Sequence, residues 1–502
     1  MLHESHFDSA TAKPEIILTE KENKICDLLK KVCIYIKEKT PNQPQIELRI
    51  AGGWVRDKLL GKECHDIDIA VDKLTGFEFA NYVNEYLKKN GQMTQTIAKI
   101  AQNPEKSKHL ETSKTHIYEQ EIDFANLRSE EYNENSRIPS KIDFGTPLED
   151  ARRRDITINS LFYNIISEKV EDYTKMGIHD LWNKTIRTPI SPNITFRDDP
   201  LRVLRVIRFA SRFNFKLDKN IKESLADQEI KTDFKLKISK ERIGDEIYKI
   251  IANNTGQVIA IELIVSNGWY FSVFEPPAEL NSNILDGIKP EISTNLSKNM
   301  AEFISNSKEA LGIEFQASEL VALYIACYIF PYFSQQIERN GKKLSAISAI
   351  GRESLKFANQ DIEKCEILHL HYKKLEKILD DTDSSANVPS RVHIGLLIRE
   401  IGPLWKLVNV FNAVVKMTES KINVKEALEV YKRFDKIVMG YDLEKAYEFK
   451  YLVNGKEISQ LLKIRPGPEI KSYLEKVMAW QLEFTNATKK ECTEYVLSLQ
   501  NE

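Results

Sequence analysis

Two aspartates, Asp66 and Asp68, lie two positions apart, shortly after the glycine pair Gly52–Gly53. Side chains alternate across a strand, so both carboxylates would share one face while Ile67 faces the core. Adjacent carboxylates repel each other, and a hard divalent cation with oxygen ligands offsets that cost. A glycine turn before a helix exposes backbone N–H groups to an anion. The pattern predicts a Mg²⁺ ion beside a bound phosphate.

The hydrophobic pattern predicts the elements that position these groups. Apolar and polar residues alternate at 46–50 and again at 67–71, which indicates two strands with a turn and short helix between them. A D-x-D pair alone is most often a solvated strand face. The G-G-x-V-R-D sequence at 52–57 instead favours a site for nucleotidyl transfer, with Arg56 as a phosphate or ribose contact. Asp57 is expected to start the helix or form a salt bridge.

A third carboxylate is expected from the sequence EQEIDFANLR. Glu121 and Asp123 share one face of the strand that this sequence predicts. Either residue could complete a metal site or act as a general base, and Glu121 is the first candidate. An exposed strand face explains both residues equally well, so the choice stays open.

A helix with arginines on one flank is predicted within FRDDPLRVLRVIRFASRF. Pro200 is expected at the first helical position, with Asp199 as its N-cap. Arg202, Arg205 and Arg208 recur every three residues. Arginines near a helix start oppose the helix dipole and need anionic or polar partners, which a nucleoside triphosphate would supply.

Asp199 and Arg202 together offer one hydrogen-bond acceptor and one donor. An ionised aspartate only accepts, and arginine only donates. Cytosine and adenine each present an amine beside a ring acceptor, and both fit this edge. Uracil and guanine place an oxygen where the carboxylate needs a donor, at a cost of a few kcal/mol. The pair therefore favours CTP and ATP without a nucleic-acid template.

These segments, with R-R-D-x-T-x-N at 153–159, resemble in the same order the motifs of the DNA polymerase β superfamily. The form is that of tRNA nucleotidyltransferases (CCA-adding enzymes) and bacterial poly(A) polymerases, and residues 108–140 are most similar to yeast-type enzymes. The clear resemblance covers about 46–255. It implies Mg²⁺-dependent addition of C, C and A to the tRNA 3′ end, with Asp66 and Asp68 holding one or two metal ions.

The resemblance also implies the place of one strand and the roles of individual residues. The strand that carries Glu121 and Asp123 would lie next to the D-x-D strand, as in polymerase-type sites. Gly53 and Arg154 would contact the nucleotide, and Asn159 would shape the sugar pocket. Arg205 and Arg208 would support the pocket and phosphates. One departure is Asp198, which stands where many relatives have glutamate.

The implied fold class is α+β. A polymerase-β-like head with a small mixed sheet precedes an all-helical neck, body and tail. The boundaries are expected to be a lead and helix at 1–45, the head at 46–192, the neck at 193–255, the body at 256–380 and a tRNA-binding tail at 381–502. The sequence DDTDSSANVPS at 380–390 is expected to be a linker, and a Lys-rich loop at 99–116 is expected to move when specificity changes from C to A.

Composition bounds the remaining possibilities. A net charge of −2 gives no global field for nucleic acid, so RNA contacts must be local. Six scattered cysteines without a C-x-x-C motif argue against a zinc site and a disulfide framework. The sequence has no apolar run of transmembrane length. A cytoplasmic and nuclear monomer is expected, with a mitochondrial form from a longer N-terminus.

The expected partners are tRNA, through its acceptor and TΨC arms, and the substrates CTP and ATP. Tail candidates for RNA phosphates are Lys450, Lys456, Lys463 and Arg465. His179–Asp180 suggests a metal-dependent phosphohydrolase, but the further ligands of that domain are missing. The alternatives are a poly(A) polymerase and a catalytically inactive RNA-binding relative.

Overall fold

A computed structural model describes residues 15–100, 112–132, 136–253, 255–384 and 389–500. The chain divides into two units, Met1–Val273 and Phe274–Glu502. This division falls inside the predicted body at 256–380, and the finer boundaries remain predictions.

The described strands of the first unit are short. They are β1 (Leu48–Ala51), β2 (Ile67–Val71), β3 (Ala98–Ile100), β4 (Thr112–Ile117), β5 (Gln120–Asn126), β6 (Arg128–Glu131), β7 (Lys141–Phe144), β8 (Phe162–Asn164), β9 (Lys169–Glu171), β10 (Thr185–Ile186) and β11 (Lys216–Leu217).

Seven of the described strands form one mixed sheet in the order β3-β4-β5-β2-β1-β8-β9. β1 pairs antiparallel with β2 and β8, whereas β2 and β5 run parallel. The parallel register places Asp68 opposite Asp123. The predicted neighbour of the D-x-D strand is therefore confirmed. β6 with β7 and β10 with β11 form separate two-stranded pairs.

Most of the described helices of the first unit are short. They are α1 (Glu20–Lys39), α2 (Gly53–Leu59), α3 (Gly76–Lys89), α4 (Pro147–Arg152), α5 (Gly177–Trp182), α6 (Pro192–Asp198), α7 (Arg202–Phe213), α8 (Lys219–Leu225), α9 (Gln228–Lys237), α10 (Lys240–Ile251), α11 (Gln257–Ser266) and α12 (Tyr270–Val273).

Helix α1 shows why its sequence folds locally as predicted. Thr19 and Glu22 form a capping box, in which each side chain accepts a hydrogen bond from the other residue's backbone N–H. The apolar face predicted from the 3.6-residue period is buried. Glu22 also accepts a hydrogen bond of 3.0 Å from the Trp54 indole, which ties α1 to α2.

The described part of the second unit is helical except for one hairpin. Its described elements are α13 (Ser282–Asp286), α14 (Glu291–Leu311), α15 (Ala317–Ile329), β12 (Gln336–Arg339), β13 (Lys342–Ser345), α16 (Ala346–Ala349), α17 (Asn359–Ser384), α18 (Arg391–Ile401), α19 (Trp405–Glu419), α20 (Val424–Gly440), α21 (Gly455–Leu462), α22 (Pro468–Glu483) and α23 (Lys489–Ser498). The predicted helical body thus also contains the short β12–β13 hairpin.

Two sequence expectations need further correction. Helix α17 continues through Ser384, so the predicted linker at 380–390 is wrong for its first five residues. Residues 385–388 of that linker lie outside the described residues. The Lys-rich segment at 99–116 starts in β3 and ends in β4, and 101–111, with Lys106 and Lys108, also lie outside the described residues.

All six cysteines are free thiols, and all but one are buried. The exception is Cys64, which is half-buried just before β2. Within the described chain, no helix is long and apolar enough to cross a membrane.

Candidate active site

A cavity of about 780 Å³ is lined by residues beside β1 and β2 and by residues of α7 and α10. The Gly52–Gly53 turn between β1 and α2, together with Asp66 and Asp68, forms part of its lining. Gly52 has φ +72° and ψ −121°, a backbone conformation that side chains with a Cβ rarely adopt. The structure therefore brings the predicted glycine turn and the two predicted carboxylates to one cavity.

Asp66 and Asp68 also line a smaller cavity of about 220 Å³ with Glu121, Asp123 and Lys114. Burial raises the pKa of Asp68, and the neighbouring carboxylate of Asp123 raises it further. A carboxyl group whose pKa is raised in this way gains from a nearby cation. The site thus has the electrostatic character expected of a metal-binding site.

Glu121 and Asp123 differ in their surroundings. Glu121 is exposed, and Lys114 at 2.6 Å lowers its pKa. Lys114 is 3.3 Å from Asp123 Oδ2, while Asp123 Oδ1 is buried and has no hydrogen-bond partner among the described residues. Because Asp123 also lies opposite Asp68, the geometry favours Asp123 over Glu121 as the third carboxylate.

The donor set fits a magnesium ion that is bound together with a triphosphate. Within the described ranges, no three His, Cys, Asp or Glu side chains gather closely enough to hold a metal unaided. Magnesium usually takes one or two protein carboxylates and completes its shell with waters and substrate phosphates. Asp66 and Asp68 satisfy that requirement, so the two residues fit the predicted ion.

Arg56 is buried in the wall of the larger cavity, where protein groups bind its guanidinium. Its Nε and Nη2 each donate to Asp57 at 2.9 Å, and Nη1 donates to Asn159 Oδ1. The guanidinium also lies 4.7 Å from the Phe213 ring centroid. The predicted salt bridge of Asp57 is confirmed. Arg56 itself is positioned to shape the wall, and its contact with a nucleotide remains a prediction.

Arg154 lies against the glycine turn. Its Nε and Nη2 donate to Asp150 at 3.0 and 2.9 Å, and its Nη1 donates to the carbonyl oxygen of Asn159 at 3.1 Å. A Cβ atom on Gly52 would lie 2.8 Å from Nη1. Although burial opposes ionisation of Asp150, Arg153 and Arg154 lower its pKa to about 2. Asp150 therefore anchors two arginines of the predicted motif.

The arginine-bearing helix α7 begins at Arg202, two residues later than predicted. Asp199 ends the preceding helix in an extended conformation, with φ −142° and ψ 98°. Its carboxylate accepts a hydrogen bond of 3.2 Å from the backbone N–H of Leu201. Asp199 is therefore not a simple N-cap, because most of its hydrogen bonds come from elsewhere.

The arginines of α7 have protein partners. Arg205 Nε donates to Asp155 at 2.8 Å, and Arg208 Nε donates to Glu246 on α10 at 2.7 Å. Burial opposes ionisation of Asp155, but Arg205 lowers its pKa to about 2. Protein carboxylates therefore supply anionic partners that the sequence analysis expected from a triphosphate, and contact of Arg205 and Arg208 with a nucleotide remains a prediction. These two carboxylates offset the unfavourable interaction of the arginines with the helix dipole.

Positive charge remains in excess in the described lining of the cavity. Eleven arginine and lysine side chains face seven carboxylates there. A cavity lined by an excess of one charge attracts the opposite charge. The surplus therefore favours a polyanion such as a nucleoside triphosphate.

Sequence reasoning missed two residues beside the predicted base-recognition pair. Arg242 on α10 binds both carboxylate oxygens of Asp199, at 3.2 and 2.8 Å. Tyr132 lies 3.5 Å from Arg202, whose other donor reaches the Thr195 carbonyl oxygen at 3.3 Å. The spacing along α10 could have indicated Arg242. It lies four positions before the buried Glu246, so both residues share one face of the helix.

The His179–Asp180 pair is structural. Asp180 is fully buried and accepts hydrogen bonds from the Thr157 hydroxyl at 2.7 Å and from Arg187 at 3.1 Å. These contacts join α5 to the R-R-D-x-T-x-N segment. The discounted phosphohydrolase site therefore has no support from this pair.

The tail candidates for RNA contact are all exposed in the second unit: Lys450, Lys456, Lys463 and Arg465. Lys456 lies in the first turn of α21, and Lys463 ends that helix in a left-handed conformation. Exposure permits phosphate contacts but is also usual for lysines on soluble helices. Their contact with RNA stays a prediction.

Known proteins resemble this chain along nearly its whole length. Residues 48–187 match the Poly A polymerase head domain. The chain is 33% identical to tRNA nucleotidyltransferase cca2 of Schizosaccharomyces pombe, over 97% of this chain and 99% of that protein. It is 36% identical to the mitochondrial CCA tRNA nucleotidyltransferase of Candida glabrata, over 97% of each chain.

A solved CCA-adding enzyme in complex with ATP has the same fold. Its TM-score is 0.62 at 18% identity, and the match covers 97% of this chain and 95% of the other. The predicted polymerase-β-like head with a helical remainder is confirmed. Given also its full-length relatives, the chain belongs to the tRNA nucleotidyltransferase family, among the eukaryotic CCA-adding enzymes.

Proposed function

We propose that this protein adds C, C and A, one nucleotide at a time and without a nucleic-acid template, to the 3′ end of tRNA from CTP and ATP. The observation that carries the proposal is the joint lining of one cavity by Asp66, Asp68, Arg154, Asp199 and Arg202. Full-length relatives named as CCA tRNA nucleotidyltransferases support the same activity.

Asp66 and Asp68 would hold one or two Mg²⁺ ions, with Asp123 as the neighbouring carboxylate. A bound ion would favour ionisation of the primer 3′-hydroxyl and stabilise the triphosphate and leaving pyrophosphate. The protein contributes a fixed carboxylate pair on a rigid strand. The 3′-hydroxyl attacks the α-phosphate, so positioning accounts for much of the rate.

The arginines around the glycine turn would orient the triphosphate. Arg154 is fixed by Asp150 and by the Asn159 carbonyl oxygen, so it does not reorganise when phosphate binds. Donors held in place before charge develops stabilise a transition state more effectively than mobile donors. Gly53 leaves room for the phosphates, and Arg205 and Arg208 add positive charge from α7.

Base choice would depend on Asp199 and Arg202. The carboxylate accepts a hydrogen bond from the amine of cytosine or adenine, and the guanidinium donates to the adjacent ring acceptor. Uracil and guanine leave the buried carboxylate facing an oxygen. The resulting penalty of about 1–3 kcal/mol corresponds to roughly tenfold to a hundredfold discrimination.

The helical second unit would bind the acceptor and TΨC arms of tRNA through phosphates, using exposed basic residues that include Lys450 and Lys456. We further propose a monomer in the cytoplasm and nucleus, with a mitochondrial form arising from a longer N-terminus. Relatives named as mitochondrial support the last point. Fractionation of cells that express tagged long and short forms tests the localisation.

The activity is tested with Mg²⁺ and a tRNA that lacks its last three nucleotides. Each labelled nucleotide is supplied alone, and CTP is then supplied with ATP. The expected result is ordered addition of C, C and A that stops. Open-ended A addition would replace the proposal with poly(A) polymerase activity, and RNA binding without incorporation would indicate an inactive relative.

A matched pair of variants tests the proposed role of Asp68. Asp68→Asn should lower the rate of C addition by about 10³-fold or more while tRNA binding is retained. Asp72→Asn removes a carboxylate just beyond β2 and outside the cavity, and should retain activity. Equal loss in both variants would contradict the assigned role of Asp68.

A further inference from the structure

Asp199 is held by α10 as well as by its own segment. Arg242 binds Asp199 Oδ1 at 3.2 Å and Oδ2 at 2.8 Å, and the Leu201 backbone N–H binds Oδ1 at 3.2 Å. The Asp199 and Arg242 side chains retain 18% and 17% exposure, and both residues line the cavity. The carboxylate is therefore fixed in orientation but still reachable by a nucleotide.

Among the described residues, the donors to Asp199 leave room for one more hydrogen bond. An ionised carboxylate offers about four lone-pair sites. The Leu201 N–H and one Arg242 nitrogen occupy the two sites of Oδ1, and the second Arg242 nitrogen occupies one site of Oδ2. A single exocyclic amine, as in cytosine or adenine, matches the remaining site on Oδ2.

The charge of Arg242 also keeps Asp199 ionised. Burial alone would raise the pKa of Asp199, but Arg242 and then Arg202 lower it overall. Among the described residues, the other charged or titratable groups that act on this carboxylate are Tyr132, Arg137, Asp198 and Arg205. A protonated Asp199 would carry an O–H donor, which the O4 of uracil or the O6 of guanine could accept.

We propose that Arg242 determines nucleotide selectivity, by fixing Asp199 as a pure acceptor with room for one donor. This makes Arg242 a positioning residue for base choice, and the inference rests on the proposed CCA addition. Arg242 acts through Asp199 and needs no contact with the nucleotide itself. Selectivity against UTP and GTP then depends on three residues from separate elements: Asp199, Arg202 and Arg242.

The test compares Arg242→Gln with Arg242→Lys. Glutamine keeps a hydrogen-bond donor but loses the charge, whereas lysine keeps the charge. The kcat/KM for UTP relative to CTP is measured on tRNA lacking its last three nucleotides, from about pH 8 to about pH 6. For Arg242→Gln the ratio should rise about tenfold or more as pH falls, since protonation of Asp199 admits uracil. It should stay nearly flat for wild type and Arg242→Lys.

Arg197→Gln is the matched control. Arg197 is a half-exposed arginine on the neighbouring helix α6, bound to Glu229 and outside the cavity. Its UTP/CTP ratio should equal that of wild type at each pH. A change of the same size in Arg197→Gln would overturn the inference, because it would show a general response to lost positive charge.

A second variant keeps the inference testable if Arg242→Gln does not fold. Asp199→Asn imitates the neutral carboxyl group, so it should accept UTP at every pH. Normal rejection of UTP by Asp199→Asn, or by folded Arg242→Gln across the pH range, would overturn the role of Arg242. Failure of wild type to add C and A would instead refute the proposed function.

Discussion

Substitution of Gly52 by alanine tests whether the glycine turn positions Arg154. The backbone at Gly52 has φ +72° and ψ −121°, a region that costs about 1–3 kcal/mol for a residue with a Cβ. For a unit of this size, that loss corresponds to a fall in Tm of about 3–10 °C. In addition, the new Cβ would lie 2.8 Å from Arg154 Nη1, so the guanidinium must move.

The displacement should affect catalysis more than stability. A shift of about 1 Å in a positioning group can lower a rate by about 10²-fold. Gly52→Ala should therefore lower kcat/KM for CTP by about that factor in a folded protein. Because Arg154 is proposed to hold phosphates, much of the loss should appear as weaker triphosphate binding.

Gly61→Ala is the control for backbone strain. Gly61 follows α2 with φ +68°, and a Cβ there would meet no atom within 4 Å. It should lower stability by about 1 kcal/mol and leave kcat/KM within about twofold. Thermal unfolding and single-nucleotide addition of C measure both effects. Wild-type kcat/KM in Gly52→Ala, or equal catalytic losses in the two variants, would refute the reasoning.

Three further predictions follow from the ion pairs. Asp123→Asn should lower kcat/KM for C addition by a larger factor than Glu121→Gln, and the reverse order would restore Glu121 as the third carboxylate. Asp180→Asn should lower stability by about 2 kcal/mol, measured by denaturant unfolding, because Arg187 and the Thr157 hydroxyl lose a charged hydrogen-bond acceptor, while the Mg²⁺ dependence of activity stays unchanged. The folded-state pKa of Asp155 is about 2, below its ordinary value of 3.8. Its ion pair with Arg205 should stabilise the fold by about 2 kcal/mol above about pH 4 and be lost as pH falls toward 2. In Asp155→Asn the free energy of unfolding should vary less with pH over that range than it does in wild type. The same pH dependence in both proteins would contradict the assignment.

Hydrophobic patterns in the local sequence predicted many helices and strands of the head. The apolar period of α1 and the alternation in β1 and β2 fixed those elements, since each pattern buries one face. The polar segment at 380–384 was misjudged because a long helix that packs against other helices, as α17 does, can extend into residues that favour loops. Pairing of β2 with β5 was expected only from the family resemblance, because periodicity does not reveal which strands are neighbours.

The site was predictable in its residue types but not in its pairing. Charge spacing indicated that Arg205 and Arg208 need anions, but it could not show that Asp155 and Glu246 supply them. Those carboxylates are 50 and 38 residues away in sequence. The same limit hid Arg242, whose importance appears only when α10 packs against the segment that carries Asp199.

The distribution of thiols would allow a fluorescent label to be attached beside Asp66 and Asp68. Five cysteines are buried, whereas Cys64 is half-buried and lies 3.7 Å from the carbonyl oxygen of Asp66. A maleimide fluorophore should therefore attach to the native chain at one position, beside the D-x-D strand. The dye would report nucleotide binding by a change in emission, with no engineered cysteine and no removal of existing ones.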